Sequence, residues 1–160
     1  MRRNHGFTIN ELLVVLAIIA ICASLFVGFA RPSNEMRAAN AVKSVLLFAR
    51  AQALWLGVPV SVTELPLGSG LTVRRQPPGV SGGCTNEGSS VVNRLLFSDY
   101  PGVRLAAGFR AGGLLWLPSG SGRGCDGSGV ISSTLRVASL TGAAEVIISS
   151  LGRVRVERAP

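Results

Sequence analysis

Near its C-terminal end the chain reads Gly152-Arg153-Val154-Arg155-Val156, two arginines separated by one residue. In an extended strand successive side chains point to opposite faces, so Arg153 and Arg155 would project together while Val154 and Val156 turn the other way. At the rise of a strand, about 3.3 Å per residue, the two positions lie about 6–7 Å apart. That spacing lets both reach the phosphates of one nucleic acid strand, with Arg158 adding to the patch. The same pattern also suits an edge strand kept soluble by arginine.

Other reactive side chains are sparse or scattered. His5 is the only histidine. It stands in the first six residues, so a Ser-His or Cys-His nucleophile pair has no base to draw on in the later domain. Glu35, Glu64, Glu87, Asp99, Asp126, Glu145 and Glu157 show no metal-ligand spacing. The turns Gly68-Ser69-Gly70 and Gly120-Ser121-Gly122 lack the Gly-Lys-Ser/Thr of a phosphate loop. The residues imply no catalytic site, metal or cofactor. Of the three cysteines, Cys22 lies in an apolar run, while Cys84 and Cys125 lie in glycine- and serine-rich stretches. If that domain is exported, Cys84 and Cys125 are the candidates for a disulfide.

The net charge is +8, and every basic residue except Lys43 is arginine. Without Arg2 and Arg3 the balance is 14 basic to 8 acidic residues, or +6. A basic exposed domain points to anionic partners such as nucleic acid or lipid head groups. A bias toward arginine codons would produce the same composition.

The elements that must position these groups fall into four parts. Residues 1–6 are short, basic and end in glycine. Residues 12–30 carry no charge and suffice to cross a bilayer core of about 30 Å. Glu11 sits at the start of this apolar stretch, where a carboxylate costs about 2.5–3.5 kcal/mol on insertion scales and asks for a cation. Segment 31–57 is amphipathic, with Val42, Val45, Leu46, Ala49, Ala53 and Leu56 on one stripe. Gly57 and Pro59 stop it, and Gly28 and Pro32 mark bends between the helical segments. Segment 58–160 alternates β-rich runs with Gly, Pro and Ser, and predicts strands at 58–65, 71–75, 91–97, 103–107, 114–117, 130–138, 144–149 and 153–157. Stretches 76–90 and 118–129 read as loops. The fold class is α+β, a long N-terminal helix packed on an antiparallel sheet or sandwich.

Gly6-Phe7-Thr8-Ile9-Asn10-Glu11-Leu12-Leu13-Val14-Val15 resembles the class III signal of type IV prepilins. Ala49-Arg50-Ala51-Gln52-Ala53, Gly57-Val58-Pro59-Val60, Leu115-Trp116-Leu117-Pro118-Ser119-Gly120 and Leu151-Gly152-Arg153-Val154-Arg155-Val156 resemble the GspH/FimT family of minor pilins and pseudopilins. The resemblance implies cleavage by prepilin peptidase between Gly6 and Phe7, and methylation of the Phe7 amine. It also implies that Glu11 pairs with the Phe7 amine of a neighbouring subunit, so that the pair sets register in a fibre of pilins or pseudopilins.

Two roles follow from the resemblance. One is a minor pilin, with Gly152, Arg153, Arg155 and Arg158 binding DNA during uptake. The other is a structural pseudopilin of a type II secretion system. In both, residues 7–30 form an inner-membrane helix and the domain lies outside the cytoplasm. The processing expectation is direct: the intact mass of the purified mature chain should correspond to a start at Phe7, and a start beyond residue 20 would mean an ordinary secretory signal.

Overall fold

The computed structural model describes residues 8–29, 33–80 and 82–159, with no side chain described for 25–29. The candidate processing residues Gly6 and Phe7, and the candidate bend at Pro32, lie outside the described residues. The chain divides into two units, Met1–Pro32 and Ser33–Pro160.

In the first unit α1 spans Ile9–Phe29, 21 residues, and runs through Gly28. Thr8 and Glu11 form a reciprocal cap at its start. The Thr8 amide and hydroxyl each donate to the Glu11 carboxylate at 2.9 Å, and the Glu11 amide donates to the Thr8 hydroxyl at 3.3 Å. This Thr-x-x-Glu pattern satisfies amides that the first helical turn leaves open. From Ile9 to Ser24 every residue is exposed. Among the described residues no helix is both long and apolar enough to cross a membrane.

The second unit is built on α2, Asn34–Leu56. Its buried stripe is Ala38, Ala39, Val42, Val45, Leu46, Ala49 and Ala53. The four alanines in that stripe keep the helix surface flat and let sheet side chains approach the backbone. Leu56, expected on the stripe, is 41 % exposed because the helix is leaving the sheets there. Gly57 ends it with φ 65°, its amide donating to the Ala53 carbonyl at 3.1 Å. Only glycine adopts that left-handed conformation at little cost.

Among the described residues nine strands follow, all paired antiparallel: β1 Val60–Glu64, β2 Gly70–Arg75, β3 Ser90–Leu96, β4 Arg104–Ala107, β5 Leu114–Trp116, β6 Gly122–Gly124, β7 Ser133–Ala138, β8 Ala143–Ile148 and β9 Val154–Arg158. They form a five-stranded sheet in the order β3-β2-β1-β5-β6 and a four-stranded sheet in the order β4-β7-β8-β9. Helix α2 packs on both. The core alternates as strands require, with Val60 and Val62, Leu71 and Val73, Leu114 and Trp116, Leu135 and Val137, and Val146 and Ile148 all buried.

Eight strands stand where the alternation places them. The ninth, β6, lies inside the stretch 118–129 that reads as a loop. Gly122-Arg123-Gly124 has no strand propensity of its own, and pairing with β5 imposes the conformation. A Cβ at Gly122 would stand 3.2 Å from the Trp116 ring, so the missing side chain is what lets the indole lie against this strand.

Cys84 and Cys125 are joined, tying the loop after β2 to the turn after β6 across 41 residues of sequence. Cross-linking a loop of that length stabilises by about 3–4 kcal/mol in the chain-entropy model. Beneath the crossing, the Gln76 amide donates to the Ser61 hydroxyl at 2.7 Å and accepts from the Thr85 amide at 3.0 Å.

The start of α2 is fixed by Glu35, which is 8 % exposed and accepts from the Ser139 hydroxyl at 3.1 Å in the β7–β8 turn. Its own amide in the first helical turn holds its carboxyl below the usual range, with help from the Ser33 and Ser139 hydroxyls and the Arg158 charge; burial opposes them. The folded state therefore binds this proton less readily than the unfolded state. The stabilisation is complete above the ordinary Glu value and is lost as pH falls through the lower folded value. Denaturation midpoints of wild type should fall more steeply from about pH 5 to 3 than those of Glu35→Gln. Parallel profiles would mean that Glu35 carries none of the acid sensitivity.

Candidate nucleic-acid interface and the arginine that supports it

The β8–β9 hairpin carries the Gly-Arg-x-Arg segment. Its turn closes through three bonds: the Gly152 amide to the Ser149 carbonyl at 2.8 Å, the Ser149 amide to the Arg153 carbonyl at 2.9 Å, and the Arg153 amide to the Ser149 hydroxyl at 3.1 Å. Gly152 takes φ 77° to make the turn. It is buried, and its carbonyl accepts from Arg50 Nη1 at 2.9 Å. Of the four residues expected to meet a nucleic acid, Gly152 is thus a turn and an acceptor rather than a contact surface.

Arg153 and Arg155 are exposed, while Val154 and Val156 pack partly against the core, as strand alternation requires. Arg155 Nε pairs with Glu157 at 3.1 Å, with both side chains at least half exposed. Such a pair is worth little in water but sets the local charge that a ligand meets. Arg158 lies three residues from Arg155 and so falls on the opposite side of β9. Its charge acts on Glu35, and the structure does not bring it together with Arg153 and Arg155. On the outward face Arg155 stands beside Ile147 and then Thr134, and Glu157 beside Glu145 and then Arg136.

Arg50 is the residue that sequence reasoning missed. It lies off the apolar stripe of α2 and so reads as a solvent-facing side chain. In the structure it is half-buried and reaches three groups. Nε donates to the Gly120 carbonyl at 3.2 Å, Nη1 donates to the Gly152 carbonyl at 2.9 Å, and Cζ lies 5.6 Å from the centroid of the Trp116 ring. Gly120 belongs to the β5–β6 turn and Gly152 to the β8–β9 turn, so one guanidinium joins α2 to a turn of each sheet. Trp116 is fully buried, and its indole N–H has no partner among the described residues. The Arg50 cation lies over the face of this ring. A Cβ at Gly152 would approach Arg50 Cζ to 2.9 Å. The segments around Arg50, Trp116–Gly120 and Gly152 thus converge on one contact.

Residues 1–27 match a model described as the prokaryotic N-terminal methylation motif. Two solved structures resemble the fold. One is the minor pseudopilin EpsH from the type 2 secretion system of Vibrio cholerae, with a TM-score of 0.57 and 17% identity, covering 79% of this chain and 98% of that one. The fold is type IV pilin-like. The other is the type IV minor pilin FimU of Pseudomonas aeruginosa, with a TM-score of 0.54 and 17% identity, covering 76% of this chain and 90% of that one. A comparison with curated proteins finds no match. Among the described residues of this pilin-like chain, no group of three or more His, Cys, Asp or Glu is placed to hold a metal ion.

The contact geometry makes a stability prediction. Arg50→Ala leaves two turn carbonyls without their charged donor and removes the cation from the indole face. The expected loss is about 3 kcal/mol, from charge-assisted bonds worth about 1.5–3 kcal/mol each that are not additive, plus a small cation–π contribution. Arg50→Lys should recover less than half, because an ammonium lacks the planar fork that serves both turns. Denaturant titration of both variants decides this. A loss under about 0.5 kcal/mol for Arg50→Ala would place the stability of the two turns elsewhere.

Proposed function

We propose that this chain is a minor subunit of a type IV pilus and binds DNA without sequence preference during uptake. Prepilin peptidase would cut between Gly6 and Phe7 and methylate Phe7. Segment 7–30, of which α1 is the described part, would anchor the chain in the inner membrane and then join the fibre of other pilins. Its exposed apolar surface from Ile9 to Ser24 supports that assignment, because such a surface needs lipid or protein around it. Glu11 would meet the Phe7 amine of a neighbour in the fibre, beyond its capping role within one chain. The domain outside the cytoplasm would act by binding, with no enzymatic step.

One observation carries the DNA reading. Arg153 and Arg155 stand exposed on the outward side of an edge hairpin whose turn is held by Arg50. Preorganised arginines on a fixed turn can take backbone phosphates, and phosphate contacts give affinity without sequence preference. The second reading, a structural pseudopilin, is favoured by the Arg155–Glu157 pair, which sets a carboxylate beside one of the two arginines.

The two readings separate in one experiment on the full chain in neutral detergent. Arg153→Ala with Arg155→Ala should weaken binding of unrelated duplexes alike. It should also flatten the log–log salt dependence by about 1.8, from two contacts at about 0.9 each. Binding equal to wild type at low salt would leave the pseudopilin reading as the better account.

A further inference from the structure

A second arginine pair shares the outward side of the four-stranded sheet. A cleft of about 520 Å³ opens between β7 and the loop after β4, lined in part by Arg110, Ser133, Thr134, Arg136 and Glu145. Its wall is built rather than loose. The pairing of β4 with β7 shifts register between Leu105 and Ala107, which turns the chain away from the sheet. The Glu64 carboxylate then accepts the Phe109 amide, and the Phe109 ring is buried. Arg110 follows directly on that anchored residue.

The chemistry of the lining suits a phosphate. Arg110 and Arg136 are both exposed, and neither forms an ion pair among the described residues. Ser133 turns inward with Leu135 and Val137, so its hydroxyl is not offered to the outward face. Thr134 supplies an exposed hydroxyl on the outward face, two residues before Arg136. Two planar cations with a hydroxyl donor form a donor set that recognises phosphate oxygens. Glu145 works against an anion here, since it stands across from Arg136 in the β7–β8 register.

We infer that this cleft seats a backbone phosphate of the same DNA, so that the duplex crosses the four-stranded sheet from the β9 edge toward the loop after β4. The inference rests on the DNA-binding reading. Thr134 and Arg155 lie in one cross-strand row through Ile147. Two strand spacings separate them, about 10 Å. A duplex carries one charge per about 1.7 Å of axis, so a bound segment presents several phosphates over that span.

The test uses the full chain in neutral detergent and a short labelled duplex over a range of salt. Arg110→Ala with Arg136→Ala should weaken binding about tenfold at low salt and lower the salt slope by about 0.9, as the loss of one phosphate contact requires. Glu145→Gln should tighten binding, an outcome that damage to the fold would not produce. If wild type binds, Arg153→Ala with Arg155→Ala weakens it and the cleft variants leave it unchanged, the cleft inference is overturned and the DNA reading stands. If wild type does not bind duplex, both fail. Sensitivity of the cleft variants toward anionic lipid vesicles, without any toward duplex, would overturn the DNA path in favour of a membrane.

Discussion

The Arg50 guanidinium is the contact on which the arrangement of the second unit turns. Helix α2 serves two sheets at once, and its buried stripe of small residues gives it little shape to hold either in register. Arg50 supplies the direction that the alanines lack. Its fork takes one carbonyl from the β5–β6 turn and one from the β8–β9 turn, while the Trp116 face closes over its charge. Both turns need glycine, because φ is positive at Gly120 and at Gly152. A side chain at Gly152 would also collide with the guanidinium.

This contact explains how an edge hairpin can be a defined surface. Arg153 lies one residue beyond the carbonyl that Arg50 holds, so its starting position is set before any ligand arrives. A binding site made of long side chains on a wandering loop would spend part of its interaction energy on ordering the chain. Here the backbone is already placed by the turn bonds and by the Arg50 contact to the Gly152 carbonyl. What remains free is the rotamer of each arginine. Glu157 and Glu145 share the outward face and moderate its charge, which favours contacts that are many and weak over one tight pocket.

Most of the architecture was legible in the sequence because it is periodic. Strand alternation located eight strands, the three-to-four spacing located α2, and Gly57 marked its end. The disulfide followed from two cysteines in loops of an exported domain. The reading failed where tertiary contact overrides local pattern. β6 is a strand because β5 pairs with it. Arg50 lies off the apolar stripe, and only the three-dimensional neighbours reveal its role; the one signal in the sequence was its place in a family-like segment. The Thr8–Glu11 cap is legible as Thr-x-x-Glu, and it gives Glu11 a role within one chain beside any intermolecular one. The placement of Arg158 was also countable: steps of two from Arg155 reach Glu157, so Arg158 falls on the other face of β9.

The central proposal is that the outward face of the four-stranded sheet meets DNA phosphates. Hydrogen exchange of the full chain in detergent, with and without a saturating duplex, tests it most directly. The account predicts slowed exchange at amides of the β8–β9 turn and the loop after β4, with the Gln76 and Thr85 region unchanged. Slowing confined to α2 or to the disulfide-tied loops, or no change at any amide, would contradict it.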